Sequence, residues 1–181
     1  ICIFVPTILT QTITPVLVRS REQNEQEYRE KAQIFMNITV WGTIIMCLLI
    51  TLLATPLVRY TFGPQYMASV VLLQIMVFKV VGYAHAQITG AMIVVENKQK
   101  FVVLRNLIGC ICAIGFNLLM IPIFGAIGAA ISSIVTAACT GIFSHLIIPS
   151  YRSLFKMQIH SFVYGWKDLT HIYTLKKSKI A

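Results

Sequence analysis

Residues 101–148 read FVVLRNLIGCICAIGFNLLMIPIFGAIGAAISSIVTAACTGIFSHLII, and this stretch decides the fold. Forty-eight residues carry a single formal charge, Arg105, and are divided near the middle by Pro122-Ile123-Phe124-Gly125. A helix rises ~1.5 Å per residue and needs ~20 residues to cross ~30 Å of hydrocarbon. Phe101–Ile121 and Ala126–Ile148 each meet that length, and the Pro/Gly pair between them reads as a turn. Two more apolar runs of similar length, Ile34–Val58 and Ser69–Val95, lie upstream. The chain is 57% hydrophobic with a mean hydropathy of +0.77. Helices of a water-soluble core alternate polar and apolar faces, and these runs hardly do. The expected fold is an all-α membrane protein, an antiparallel bundle of transmembrane helices.

Charge orients it. Arg19, Arg21, Arg29 and Lys31 precede the first long run, while the connector after it holds only Arg59. Lys98, Lys100 and Arg105 flank the next turn, and the turn after that is uncharged. The tail carries Arg152, Lys156, Lys167, Lys176, Lys177 and Lys179. Thirteen of the fifteen Lys/Arg thus fall on alternate connectors. The positive-inside rule places those connectors and the C-terminus in the cytoplasm. A net charge of +9 is then topological, and the nucleic-acid reading, which requires a basic groove on a soluble domain, is set aside.

Residues 1–18 are apolar and uncharged, contain Pro6 and Pro15, and read as the end of a Pro-bent transmembrane helix. Without a basic segment or cleavage site before them they do not resemble a signal peptide, and the chain is expected to be the C-terminal part of a larger protein. Residues 19–33 form a charged connector, expected to be a cytoplasmic helical extension. Glu25 with Arg29 and Glu27 with Lys31 stand in the favourable acid-first i,i+4 order. The basic and aromatic tail, 149–181, is expected to lie on anionic headgroups. Cys2, Cys47, Cys110, Cys112 and Cys139 all lie in apolar runs and read as small packing residues, with neither a disulfide framework nor a metal site. In the last run Gly125, Ala129, Ser133, Ala137 and Gly141 recur every four residues, beside a second row of Gly128, Ser132, Thr136 and Thr140. Small residues at that spacing let helices approach closely in lipid.

Few polar groups lie inside the runs. Lys79 stands ~15 Å from the outer end of its run, where a charge costs about 2.5–3.5 kcal/mol and needs a wet cavity or an anionic partner. Gly82, Tyr83, Ala86, Gly90 and Asn97 share its face. The competing reading is a lysine that snorkels or is paired structurally. His85, on another face, is a candidate for proton coupling or an ordinary hydrogen-bonded histidine. Asn106, Gly109, Ala113 and Asn117 make one polar, small face, which either lines the same cavity or bonds neighbouring helices.

Two segments resemble a known family. Phe62-Gly63-Pro64-Gln65-Tyr66, then Ala68 and Leu72-Leu73-Gln74-Ile75-Met76, is similar to the outer turn and following helix of bacterial polysaccharide flippases. So is Asn117-Leu118-Leu119-Met120-Ile121-Pro122-Ile123-Phe124-Gly125-Ala126-Ile127-Gly128-Ala129-Ala130. The resemblance, over roughly residues 1–148, is to the O-antigen and capsule transporters of the multidrug/oligosaccharidyl-lipid/polysaccharide exporter superfamily. It implies the C-terminal part of a twelve-helix carrier in the bacterial inner membrane, whose N-terminal half is missing from this chain. It implies a lipid-linked cargo, an undecaprenyl-pyrophosphate oligosaccharide, moved from the cytoplasmic to the periplasmic leaflet. Transport would be coupled to a proton or sodium gradient, without a cofactor. Lys79, Tyr83, Asn106 and Asn117 are then expected along the substrate pathway, Arg105 at its cytoplasmic mouth, and His85 in coupling. Rival readings are a membrane-embedded enzyme of polysaccharide assembly, a drug or metabolite exporter of the same superfamily, and a non-transporting scaffold. Short outer connectors and the lack of Asp or Glu in the runs weigh against the enzyme and against an exporter of organic cations.

Overall fold

The computed structural model describes residues 3–178, with side chains described for residues 3–167. Among these residues the chain is helical almost throughout, and no strand occurs. Helix α1 (Phe4–Gln23) runs into α2 (Glu25–Thr61) through Asn24. Asn24 is extended (φ −156°, ψ 124°), and its side chain accepts from Gln26 N at 2.8 Å, capping α2. The charged connector expected at 19–33 is therefore divided: its first residues close α1 and the rest open α2. Pro15 lies inside α1 without ending it. Both expected acid-first pairs in α2 form, Glu25 with Arg29 at 2.9 Å and Glu27 with Lys31 at 2.6 Å.

The breakers stand where the sequence puts them. Gly63 (φ +94°) and Pro64 end α2 and lead through a short turn, Pro64–Tyr66, into α3 (Ala68–Val77). Asn97 (φ +54°) closes α4 (Lys79–Val95), with Lys98 N donating to Ile93 O at 2.9 Å in the 6→1 pattern of a left-handed cap. Among the described residues three helical segments are long and apolar enough to cross a membrane, Glu25–Thr61, Ala68–Val95 and Gln99–Ile147. Within the third, α5 (Val102–Ala138) folds on itself at Gly125, whose φ of 56° and ψ of −130° leave helical space. A side chain there would be strained, so the turn needs glycine. One π-type turn, Cys139–Phe143, and the short α6 (Ser144–Ile147) complete the second arm.

Two differences from the sequence reading concern later helices. The run Ser69–Val95 forms one helical span, Ala68–Val95, but with a local irregularity at Phe78 (φ −66°, ψ −17°), after which Lys79 opens α4. Val81 N donates to Phe78 O (3.2 Å), one residue short of its regular partner, and Cys47 Sγ of α2 donates to Val77 O at 3.3 Å. A neighbouring helix thus stabilises the irregularity. The tail, expected on the headgroups, instead forms α7 (Arg152–Ser178), whose most extensive packing is along α2. Leu154, Gln158 and Ser161 are fully enclosed. Gly165 lies where a Cβ would sit 2.9 Å from Trp41 Nε1, and the Trp41 and Trp166 rings are 5.7 Å apart. The side chains of Lys176 and Lys177, and all of Cys2 and Lys179, lie outside the described residues.

Both small-residue rows of the last run are packing faces, on different neighbours. Gly128 and Ser132 face the first arm of α5, with Ser132 Oγ donating to Phe116 O at 3.0 Å. Ala137 and Gly141 meet Gly82 of α4, whose carbonyl would lie 2.9 Å from a Cβ at Gly141. Outward faces of α2 and α5 remain apolar and exposed, as at Leu52 (75%) and Val103 (77%). Such faces suit lipid.

At the end of the bundle assigned to the cytoplasm, Glu96 gathers three elements. Tyr28 hydroxyl donates to Glu96 Oε1 (3.1 Å), Lys98 Nζ lies 2.6 Å from Oε2, and Tyr151 hydroxyl donates to Lys98 O at 3.0 Å. In a cysteine-free background, a single cysteine at exposed Gln65 should react with an impermeant maleimide on intact cells. One at exposed Gln99 should react only after permeabilisation. The reverse pattern would invert the topology.

Candidate functional site

The candidate site is a cavity of about 390 Å³ between α4 and both arms of α5. Lys79, Gly82, Tyr83 and Ala86 come from α4, Ala113 and Asn117 from the first arm. Ser133, Thr136, Ala137 and Thr140 close it from the second arm and the π-turn. Helical spacing explains the α4 wall, because positions 79, 82, 83 and 86 lie on one side of the helix. Small residues at 82, 86, 113 and 137 create the room. The Gly82–Ala137 contact, with a would-be Cβ at 3.0 Å, brings α4 and the second arm together beside it.

Its polar groups fall into two sets. Ser133 Oγ and Thr140 Oγ1 donate to their own helix, to Ala130 O and Thr136 O, both at 2.9 Å. Tyr83 hydroxyl is held by Gln87 Nε2. Lys79, by contrast, makes no ion pair, and the Asn117 amide no hydrogen bond, among the described residues; Thr136 Oγ1 is enclosed without a partner. A cation and an amide free to bond therefore face one cavity. No Asp or Glu lies between Lys31 and Val95 or between Asn97 and Lys167. The site presents positive charge and neutral donors, which suits an anionic or polyhydroxylated ligand.

The six candidate residues from the sequence divide accordingly. Lys79, Tyr83 and Asn117 come together in the cavity. Asn106 is exposed on the outside of α5 and does not line it, although it shares a helical face with Asn117. The first arm leans on the second below Ala113, where Gly109 meets Thr140 Oγ1, and that contact closes the cavity above Asn106. Arg105 lies outside the cavity, nearer the Glu96–Lys98 end of α5. His85 faces away, fully buried, with Nδ1 3.0 Å from Val81 O and its ring stacked at 4.5 Å on Phe162 of α7. Thr136 and Thr140 were visible only as packing residues; their row contains both the inter-arm contact and the cavity wall. Among the described residues no cluster of three His, Cys, Asp or Glu side chains could hold a metal.

No family model, curated protein or solved structure matches the chain.

Proposed function

We propose that this chain is the C-terminal part of a membrane carrier that flips a lipid-linked, pyrophosphate-bearing oligosaccharide across the membrane, from the cytoplasmic to the outer leaflet. One observation carries the reading: Lys79 and Asn117 face one cavity without an ion pair or hydrogen bond among the described residues, and no Asp or Glu lines that cavity. A cation uncompensated by protein gains most from an anionic ligand. Sugar hydroxyls match the Asn117 amide, and Tyr83 lines the same cavity. The resemblance at residues 62–76 and 117–130 supplies the substrate class. The cavity is too small for a whole oligosaccharide, so a second wall from an N-terminal half completes the path. A carrier of organic cations is disfavoured, since Lys79 would repel them.

Lys79→Ala should lower surface polysaccharide about tenfold at unchanged protein level, the size expected for one lost charged hydrogen bond. Lys79→Arg should retain most of the activity because the charge remains. Full surface polysaccharide with Lys79→Ala, from normally inserted protein, would remove the cavity from the transport path.

A further inference from the structure

Arg105 is another cation without an ion pair among the described residues, and its surroundings differ from those of Lys79. It stands one turn inside α5, three residues or ~5 Å past Val102, the first residue of that helix. Two of its guanidinium nitrogens, Nε and Nη1, are enclosed by protein with no acceptor among the described residues. The side chain as a whole is only partly buried, so an approach to the group remains. Its electrostatic neighbours include His145 and Tyr151, both fully buried. Tyr151 donates to Lys98 O, and His145 uses Nδ1 on Gln158 Oε1 at 3.2 Å, leaving its own Nε2 without a partner. Neither neighbour supplies negative charge. Glu96, the nearest acid in sequence, is already engaged by Tyr28 and Lys98.

A guanidinium taken out of water without an anion is costly, because desolvation is not repaid by any pairing. The expected complement is an oxyanion, which the open part of the guanidinium meets with a charge-assisted hydrogen bond. The height of Arg105, one turn above the connector assigned to the cytoplasm, is the level of lipid headgroups. We propose that Arg105, flanked by His145 and Tyr151, is a binding site for the phosphate of a lipid in the inner leaflet. The site stands independently of the carrier reading. A structural phospholipid and a polyprenyl-phosphate cargo share its chemistry, and the experiment separates them.

The chain is purified in nonionic detergent and its melting followed with added phosphatidylglycerol, undecaprenyl phosphate or sodium phosphate. Lipid phosphate should raise the midpoint of the unmodified chain. Arg105→Gln should abolish the shift or move its half-maximal concentration at least about tenfold upward. Arg105→Lys should keep a weaker response, since a point charge replaces the guanidinium. Without lipid, Arg105→Gln should melt no lower than the unmodified chain, because it removes an uncompensated charge. A response to phosphatidylglycerol marks a structural lipid site; a response to undecaprenyl phosphate alone marks cargo entry. An equal lipid response in Arg105→Gln, no response in any form, or a full response to sodium phosphate alone would overturn the assignment. So would an Arg105→Gln chain that fails to fold without lipid, since Arg105 would then be paired within the protein.

Discussion

Gly128→Leu should abolish folded protein, and Gly128→Ala should lower the melting temperature by about 5–10 °C. A Cβ at Gly128 would lie 2.1 Å from Met120 O and 2.6 Å from Met120 C, atoms of the opposite arm's backbone. Backbone cannot rotate aside like a flexible side chain, so the arms must separate by more than an ångström. That separation strains the Ser132–Phe116 bond one turn away and loosens the packing of Gly109 on Thr140. Overpacking of this kind costs about 1–3 kcal/mol for one methyl and more for a larger side chain. At this chain length each kcal/mol moves the midpoint by roughly 2–4 °C. Gly115→Ala is the control, on the same helix with nothing within 4 Å of its would-be Cβ. It should be neutral or stabilising, since Ala is the better helix former by up to ~1 kcal/mol. If Gly128→Ala melts with Gly115→Ala, the arms do not meet at that level.

The second large effect is expected from removing α7. A chain ending at Tyr151 should melt about 10 °C lower, or fail to accumulate. Its loss bares Trp41 Nε1, which donates to Ser161 O at 3.1 Å, and Gln33 Nε2, which donates to Met157 O at 3.2 Å. It also leaves Gly141 O without Gln158 Nε2 (2.6 Å) and uncovers the His85 ring under Phe162. A buried polar group left unpaired costs about 1–3 kcal/mol, a sizeable share of the stability of a typical domain, and the lost apolar cover adds to it. Gln158→Leu is the finer probe, because it keeps the volume but removes the side-chain bonds to Gly141 O and His145 Nδ1 together. It should lower the midpoint by several degrees. A tail lying on headgroups predicts the opposite: truncation at Tyr151 and Gln158→Leu would both leave the midpoint where it is.

Much of the architecture was readable without coordinates. Helical runs, the Gly63-Pro64 break and the turn at Gly125 follow from hydropathy, length and single-residue backbone preferences, all of which are local, whereas Asn97, expected on the helical face of Lys79, lies beyond the end of α4. The Lys79 face was readable for the same reason, since positions 79, 82, 83 and 86 share a helix whatever packs on it. The two small-residue rows announced close packing but not with which neighbours. Only the fold assigns Gly128 and Ser132 to the first arm, and Ala137 and Gly141 to α4.

What the amino-acid sequence alone determined is therefore the helical, membrane-suited character of the chain and the residues that share each helical face. Tertiary structure decided everything that depends on contacts between distant positions. It made the run Ser69–Val95 irregular at Phe78, because Cys47 from α2 takes the Val77 carbonyl. Asn117 lies inside the cavity while Asn106 stays out, because Gly109 and Thr140 close the gap between them. Docking of α7 on α2 comes from Gln33, Trp41 and Gln158, three scattered polar groups whose complementarity no hydropathy scale registers. Periodicity along one segment reports the face a residue occupies, but the energy of an unpaired polar group depends on whichever segment arrives opposite it.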